Sequence, residues 1–468
     1  MMIIRSGPIA AALCLFSAPA LAEGPAPHPQ AEAQVLDLAK QLVAIRSVKG
    51  ENNRTIDADK VIRDALIAGG WKSDDIVIDP LNDTSYLIAT WKGSDPSQKP
   101  LVISGHLDVV EADTKDWQRD PFTPVMENGY LFGRGASDMK FDAALAVATL
   151  IEMRRAGYSP RRSIVIAFSG DEETTMATSQ VIAKKLKDAE LVINIDGGGG
   201  LLAEKSGKPV YWTWQGAEKT YNDYKLEVTN PGGHSSAPRP GNAIVQLAEA
   251  IQNIGAYHFK PEQNDLTKTY FAKAAQFEND PKLAAAMRAF SANINDAKAI
   301  KALRANPAYV GKIGTTCVPT MVSAGHAPNA LPQRATATVN CRIFPGHTRE
   351  EIRQQLARIA NVPQVKVTDA TGDESIFAPA SPMRADFVMA AEKAMALINP
   401  GLPVFPSQAS GASDSMWFRA LGVPSYGASP SFIKDSDDFS HGLNERVPLS
   451  NTRPGINYYI SLFTGLSK

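Results

Sequence analysis

The chain has 468 residues, of which 44% are hydrophobic and 21% are charged. This is close to the globular average and excludes a disordered, collagen-like or coiled-coil chain. Its 48 basic and 49 acidic residues leave a net charge of −1, which argues against a protein that binds nucleic acid or an anionic membrane surface. Three cysteines are too few for a disulfide-rich scaffold or a four-thiolate zinc site. Any metal site in this chain must therefore rely mainly on histidine and carboxylate ligands.

Residues 1–22 have the organisation of a secretory signal peptide. Arg5 supplies the positive start, residues 9–16 form a short apolar core, and Ala20 and Ala22 provide small side chains before a cleavage site. The apolar core is too short to cross a bilayer, which disfavours the alternative of a retained anchor helix. No later segment has 18 uncharged apolar residues. We therefore expect an exported protein, periplasmic or secreted, with no membrane span after processing.

Residues 23–216 alternate between helical and strand-like patterns. The apolar spacing predicts helices between residues 32 and 70, at Phe141–Arg155 and at Ser179–Lys187. Short apolar runs typical of buried parallel strands occur at Leu101–Ser104, Ser163–Phe168 and Leu191–Ile195. This alternation predicts an α/β fold, in which helices cover a mostly parallel sheet.

The pattern changes near residue 217. The next segment has the order of an α+β sandwich, with predicted strands and helices at Asn222–Thr229, Ala243–Ile254, Thr315–Ser323, Ala335–Phe344, Arg349–Ile359 and Gln364–Thr368. Residues 260–308 are helical in character and form an insertion. We therefore expect a catalytic α/β domain, built from residues 23–216 and 379–468, that is interrupted by a smaller α+β lid domain at residues 217–378.

Removal of the signal would leave Cys317 and Cys341 as the only cysteines of the mature chain. They lie 12 residues on either side of Asn329, so a hairpin that turns near Asn329 would place them opposite each other. An oxidising compartment would permit a disulfide. Two buried free thiols are the alternative, because cross-strand geometry is often unsuitable for a disulfide.

Three of the predicted strands lead directly into side chains that bind metals. His106 and Asp108 follow the first strand, Glu172 and Glu173 follow the second, and Asp196 follows the third. The functional crevice of an open α/β sheet lies beyond the carboxyl ends of its strands, so we expect these side chains to converge. In an extended segment His106 and Asp108 point the same way, and Asp108 could orient the imidazole of a metal-bound His106.

Each element also has a simpler explanation when it is taken alone. His106 can close a loop, and Glu172–Glu173 can be a solvated acidic pair. Asp138 can cap the following helix, and Asp196 with its glycines can form a turn. Carboxylates gathered beyond strand ends would repel one another unless a cation neutralised them, however. The joint pattern therefore favours a metal site.

These segments, taken together and in this order, resemble the M20 metallopeptidases, the family of dinuclear-zinc dipeptidases, aminoacylases and glutamate-releasing carboxypeptidases. The matching segments span nearly the whole mature chain and are SGHLDVV (104–110), GRGASDMK (133–140), SGDEE (169–173), NIDGG (194–198), GGHSS (232–236), NALP (329–332), CRIFPG (341–346) and HGLNE (441–445). The resemblance implies an interrupted two-domain architecture, as the patterns above also predict.

The resemblance implies two zinc ions per subunit, for which Mn²⁺ or Co²⁺ could substitute, since the same ligand types suit those ions. His106 and Asp196 would hold one ion. Glu173 and His441 would hold the other, and Asp138 would bridge both.

Three further residues would act in catalysis by the same resemblance. Glu172 would be the general base on a water that bridges the two ions, and Asp108 would support His106. His234 would stabilise the tetrahedral oxyanion, often in the site of a partner subunit. Asn329, Arg342 and Gly411 would bind the substrate, with Arg342 on its terminal carboxylate; an ordinary surface role for Arg342 is the alternative.

The implied activity is hydrolysis of the amide bond of dipeptides or short peptides. Aspartate at position 196 favours dipeptides weakly, because related deacylases and carboxypeptidases tend to have glutamate there. An N-acyl-amino-acid deacylase or a carboxypeptidase of the same family is the alternative, and a non-catalytic exported peptide-binding protein is a remote one. The family often forms a homodimer through the lid domain, and we expect the insertion at residues 260–308 to alter or cover that interface.

Overall fold

The computed structural model describes residues 24–468, and the expected signal peptide at residues 1–22 lies outside them. The α-helices of the described residues are α1 Pro29–Val43, α2 Thr55–Ala68, α3 Phe141–Arg155, α4 Ala177–Lys185, α5 Ala243–Ala256, α6 Asp265–Ala274, α7 Pro281–Ala292, α8 Ala297–Arg304, α9 Pro307–Val310, α10 Arg349–Ala360, α11 Ala385–Ile398, α12 Ser415–Ala420 and α13 Thr452–Leu466. None of the helices in residues 24–468 is both long and apolar enough to cross a bilayer.

The strands fall into one large sheet and three smaller ones. They are β1 Ile76–Leu81, β2 Thr84–Trp91, β3 Leu101–His106, β4 Val125–Glu127, β5 Tyr130–Phe132, β6 Ile164–Ser169, β7 Leu191–Asn194, β8 Gly199–Leu202, β9 Pro209–Glu218, β10 Thr220–Thr229, β11 Gly233–His234, β12 Thr316–Ala324, β13 Ala330–Leu331, β14 Arg334–Ile343, β15 Lys366–Asp369, β16 Val404–Ala409, β17 Ser425–Gly427, β18 Phe432–Ile433 and β19 Arg446–Pro448.

The large sheet has the order β1-β2-β6-β3-β7-β17-β9-β8-β18, and β16 pairs with β9. Its centre is parallel, because β3 pairs in parallel with both β6 and β7. The pairs β1·β2, β2·β6 and β8·β9 are antiparallel, so the sheet is mixed. The predicted α/β class is confirmed, while the antiparallel strands at both sides were not predicted.

Helices cover both faces of the central strands, as the continuous apolar runs of buried strands require. Leu101 and Ile103 of β3 lie in the larger core, which includes residues of α1, α3 and α13. Val102 points the other way, into a smaller core formed with α4 and α12. Alternate residues of one strand therefore serve two cores.

The smaller four-stranded sheet has the order β12-β14-β10-β15 and is fully antiparallel. Helices α5 and α10 pack on one face and share a separate core with it. All of these elements lie within the predicted lid segment, residues 217–378. The exact limits of the lid domain stay a prediction.

Cys317 of β12 and Cys341 of β14 are direct cross-strand partners and form a disulfide. The hairpin places the two residues opposite each other, as expected from their positions around Asn329. Of the two alternatives left open by the sequence, the structure has the disulfide.

The helical insertion packs on the large sheet, not on the free face of the lid. Helices α6 to α8 form a core with Phe405 of β16, and Tyr211 of β9 packs against that core. Three apolar side chains of β12 stay exposed, with Val318 58%, Met321 70% and Val322 67% accessible. The insertion buries its apolar faces elsewhere and leaves these side chains of β12 uncovered. The expectation that it alters or covers a dimer interface stays a prediction.

Asp59 on α2 is a buried carboxylate that offers a test of the packing of this helix. Its Oδ2 atom accepts a hydrogen bond from Ser85 at 2.5 Å, while Oδ1 is without a partner in the described structure. Burial raises the pKa of Asp59 to about 7 from an ordinary value of 3.8. The folded state therefore binds a proton more tightly than the unfolded state, so this group's contribution to stability is present below pH 4 and is lost as the pH rises to about 7.

We expect Asp59→Asn to raise the free energy of unfolding at pH 8, by on the order of 4 kcal/mol, and to have little effect at pH 4. Chemical denaturation at both pH values measures the difference. Asp64→Asn, on the exposed side of the same helix, serves as the control. A gain of equal size at pH 4 and pH 8 would show that ionisation of Asp59 is not the cause.

Candidate metal centre and active site

The side chains proposed as metal ligands come together at one edge of the large sheet. His106 is the last residue of β3, and its register partner Ser169 is the last residue of β6. Glu173 follows shortly after β6, and Asp196 comes two residues after β7. Because these neighbouring strands are parallel, their carboxyl ends meet at the same edge, as the sequence predicted.

Asp138 stands between the two histidines. Its Oδ1 atom lies 3.1 Å from Nε2 of His106, and its Oδ2 atom lies 3.2 Å from Nε2 of His441. Nε2 of His441 is also 2.9 Å from Oε1 of Glu173, and Nε2 of His106 is 3.7 Å from Oδ1 of Asp196. The Nε2 atom of each histidine thus lies near one further carboxylate, and the Asp138 carboxylate joins the two halves.

The donor atoms are close enough to surround cations. One ligand atom each from His106, Asp138 and Glu173 lie within 4.8 Å of one another. Two imidazoles and three carboxylates are the ligand types that zinc and related divalent ions accept. The residues present therefore fit a two-ion centre of the kind inferred from the sequence.

Asp138 does not cap the helix that follows it. It lies in a short helical turn, Ala136–Lys140, with φ −122° and ψ 92°, outside the helical region. The residue that precedes α3 is Lys140, and no side chain caps the helix there. The simpler interpretation of Asp138 as a helix cap is thus wrong.

Asp108 supports more than His106. Nδ1 of His106 lies 3.0 Å from the main-chain oxygen of Asp108 and 3.5 Å from its carboxylate. The two carboxylate oxygens of Asp108 accept hydrogen bonds from the main-chain N–H groups of Glu172 and Glu173, at 3.1 and 3.0 Å. Asp108 therefore connects the strand end that carries His106 to the segment that carries the proposed base and a proposed ligand.

Burial and neighbouring charges shift the pKa values of several side chains in this cluster. Burial and nearby carboxylates raise the pKa of Glu172 well above its ordinary value, although His106 opposes the shift. Burial raises the pKa of Asp196 to about 7. Hydrogen bonds with Asp138 and Glu173 raise the pKa of His441 to about 10. Burial would lower the pKa of His106, yet the carboxylates around it, Asp196 first, raise it well above 6.5. The cluster thus favours bound positive charge.

The proposed lid residues form two separate groups. His234 is on β11, which pairs with β13 as a small ribbon, and the main-chain oxygen of Asn329 accepts a hydrogen bond from Ser235. Nδ1 of His234 bonds to Ser236. Within residues 24–468, the side chains of His234 and Asn329 make no hydrogen bond with the five ligand residues.

Arg342 and Gly411 form the second group. Nη1 of Arg342 donates to the main-chain oxygen of Ser410 at 3.4 Å, and its guanidinium lies 4.7 Å from the ring centre of Tyr221. Gly411 is exposed, and no atom lies within 4 Å of where a Cβ would be. The structure therefore brings the lid strand β14 to the loop that begins at Ser410.

Two buried carboxylates near the centre were missed by the sequence reasoning. Asp414 is 2% exposed and accepts a hydrogen bond from Ser169, at the end of β6, at 2.7 Å. Glu445 contacts the loop that carries Asp138. Glu445 closes the segment HGLNE, and Asp414 lies three residues after Gly411, but spacing alone does not show which distant loop a carboxylate contacts.

Comparison with known proteins agrees with this geometry. Residues 102–464 match the model of peptidase family M20/M25/M40. The chain is 28% identical over 389 residues to the mouse N-fatty-acyl-amino acid synthase/hydrolase PM20D1, covering 79% of this chain and 74% of that protein. It is 27% identical over 394 residues to a Dictyostelium discoideum protein described as a probable carboxypeptidase S-like 2, covering 82% and 74% of the two chains.

Solved structures show the same fold. The M20 family metallo-carboxypeptidase Sso-CP2 from Sulfolobus solfataricus superposes with a TM-score of 0.69 at 18% identity, covering 92% of this chain and 98% of that one. Human carnosine dipeptidase 1 gives a TM-score of 0.61 at 16% identity, covering 93% and 97%.

The fold and the family match define the chain as a metal-dependent hydrolase of peptide or amide bonds. It belongs to peptidase family M20/M25/M40.

Proposed function

We propose that this protein is an exported zinc-dependent peptidase that hydrolyses dipeptides or short peptides. The observation that carries the proposal is the Asp138 carboxylate, whose two oxygens face His106 and His441 at 3.1 and 3.2 Å. A carboxylate between two imidazoles, each with its own carboxylate partner, is the arrangement a two-ion hydrolase needs.

His106 and Asp196 would hold one zinc ion, Glu173 and His441 the other, and Asp138 both. Two such ions polarise the scissile carbonyl and lower the pKa of a water molecule between them.

Glu172 is proposed to move the proton. Its side chain is 8% exposed, and Asp108 holds its main-chain N–H at 3.1 Å. A carboxylate beside the reacting water can take the water's proton and then pass it to the leaving amine. The bond to Asp108 fixes the main chain of Glu172 at the end of the segment that follows β6.

Arg342 and the Gly411 loop are proposed to bind the carboxylate at the C-terminal end of the substrate. A guanidinium can hold a carboxylate by two parallel hydrogen bonds, which a lysine cannot match. Gly411 leaves space for the substrate main chain to approach. Asn329 and His234 would bind the substrate amide and stabilise the oxyanion, with His234 supplied by a partner subunit.

Two of the proposed ligands, Asp138 and Asp196, line a cavity of about 380 Å³. It reaches from Asp138 and Asp196 to Asp142, Asp435 and Asp438, and it also includes apolar walls. Carboxylates in a cavity favour the ammonium group of a free N-terminus and disfavour a long alkyl chain. This lining supports a dipeptide substrate.

The test is release of free amino acids by the purified, zinc-loaded protein from dipeptides, N-acetylated dipeptides, C-amidated dipeptides and N-acyl amino acids. We expect cleavage of free dipeptides and its loss on N-acetylation or C-amidation. A strong chelator should abolish the activity and added Zn²⁺ should restore it. An undiminished rate of hydrolysis by the metal-free protein would contradict the proposal.

A second candidate is an N-acyl-amino-acid hydrolase, which the relative named N-fatty-acyl-amino acid synthase/hydrolase favours. The same panel decides between them. Turnover of N-acyl amino acids, with no cleavage of free dipeptides, would favour this second candidate. The proposed metal centre would be unaffected.

We also propose that two copies associate through the exposed edge of β12. This strand lies at the edge of its sheet, and Val318, Met321 and Val322 are more than half exposed. Exposed Val245 of α5, which packs against β12, extends the apolar surface. Edge strands with apolar side chains are prone to pair with another chain.

We expect a dimer by light scattering, and a monomer for Val322→Glu. Val77→Glu, at an exposed apolar position on β1, is the control. A monomeric wild-type protein would contradict this proposal without affecting the metal centre. The disulfide between Cys317 and Cys341 supports an oxidising location, in agreement with the proposed export.

A further inference from the structure

A buried carboxylate connects the loop of Asp138 to the segment that carries His441. Glu445 is fully buried, follows His441 by four residues and lies 307 residues after Asp138. Glu445 itself lies in no helix or strand, since β19 begins at the next residue. The mechanism described above gives it no role, although it closes the segment HGLNE.

Both oxygens of Glu445 accept hydrogen bonds from the loop. Oε1 accepts from the main-chain N–H groups of Ser137 and Asp138 at 2.8 and 3.0 Å, and from the Ser137 hydroxyl at 3.1 Å. Oε2 accepts from the main-chain N–H of Gly135 at 2.9 Å and from Nη1 of Arg134 at 2.7 Å. A buried carboxylate is stable only with partners of this kind.

Arg134 completes the connection. It is 3% exposed, and its Nη2 atom donates to the main-chain oxygen of His441 at 3.3 Å. The main-chain oxygen of Glu445 accepts from Gly133 at 3.0 Å. The loop at residues 133–138 and the segment at residues 441–445 are thus tied together by both side chains and backbone.

We propose that Glu445 is a positioning residue, which holds Asp138 at the correct place between His106 and His441. The inference rests on the proposed two-ion function. Asp138 has an extended conformation inside a helical turn, and its N–H donates to Glu445. That bond fixes the main chain of Asp138, while its carboxylate stays free to face the two imidazoles.

Glu445→Gln is the informative change, because it keeps the size of the side chain. Each oxygen of Glu445 accepts from at least one main-chain N–H, so the amide group of glutamine faces a donor in either orientation. We expect the weaker of the two Zn²⁺ ions to bind about 10- to 100-fold less tightly, since residues that orient ligands have effects of this size. We expect kcat to fall by a similar factor, with KM nearly unchanged.

Calorimetric titration of the folded, metal-free protein with Zn²⁺ measures the affinity directly, independently of activity. Glu445→Asp keeps the charge and should recover part of the affinity. The control is Glu262→Gln, which also removes a carboxylate that accepts from a main-chain N–H, that of Thr315, but lies in the lid. The control should keep wild-type Zn²⁺ affinity even if it lowers the melting temperature.

Unchanged Zn²⁺ affinity in folded Glu445→Gln would overturn the inference and leave the proposed function intact. Equal weakening of Zn²⁺ binding by Glu262→Gln would also overturn the inference, because the effect would then be one of general stability. A wild-type protein that binds no Zn²⁺ and hydrolyses nothing would overturn both the inference and the proposed function.

Discussion

Glu172→Gln is expected to lower kcat by about 10³-fold, within the range of 10²–10⁴ typical of a removed general base. The glutamine has nearly the same shape and keeps the main-chain hydrogen bond to Asp108, so metal content and KM should stay near the wild-type values. Only the ability to accept a proton is lost. Steady-state kinetics on a cleaved dipeptide, together with metal analysis, measures the effect.

The control for this change is Glu350→Gln, on the exposed side of α10, which should retain wild-type kcat. A kcat of Glu172→Gln above one tenth of the wild-type value would show that Glu172 is not the general base. Asp414, a buried carboxylate that accepts a hydrogen bond from Ser169 at the end of β6, would then be the first residue to examine.

Asp138→Ala is expected to reduce tightly bound zinc from two ions per chain to one or fewer. Asp138 is the carboxylate that faces both histidines, so in the proposed centre its removal would take a ligand from each ion at once. Loss of the metal contribution, several kcal/mol of transition-state stabilisation, corresponds to a fall in kcat/KM of about 10³-fold or more. Zinc titration and kinetics on the same preparation measure the two effects.

Asp142→Asn is a matched control for metal content, because Asp142 is also buried but its carboxylate bonds to Ser429 and Ser431. It should keep two ions. Two tightly bound ions in Asp138→Ala would show that Asp138 is not shared, and the two-ion arrangement would have to be built from other residues.

The central strands and their polar ends could be predicted from the sequence because a short apolar run followed by metal-binding residues favours a buried strand that ends at the site. Leu101–Ser104 is apolar on both faces, which suits a strand buried between layers of helices, and His106 follows it directly. Cys317 and Cys341 were placed opposite each other because a hairpin fixes the register of its strands.

Other features could not be predicted from the sequence. The helices at residues 260–308 display apolar faces, but amphipathicity does not tell which surface covers them, and they pack on Phe405 and Tyr211. The strand β8 is too short and glycine-rich to give a strand pattern. The bonds of Glu445 to the loop of Asp138 join positions 307 residues apart, and only the folded chain brings them together.

The position of His441 near the end of the chain has a consequence for how the enzyme matures. A chain that has been synthesised as far as Asp196 already contains four of the five proposed ligands. It still lacks His441 and Glu445, which accepts a hydrogen bond from the main chain of Asp138. In the proposed two-ion centre, the half that contains His441 would form only when residues 441–445 dock onto a segment synthesised much earlier. Binding of both ions would then be a late event, which would separate completed molecules from interrupted ones.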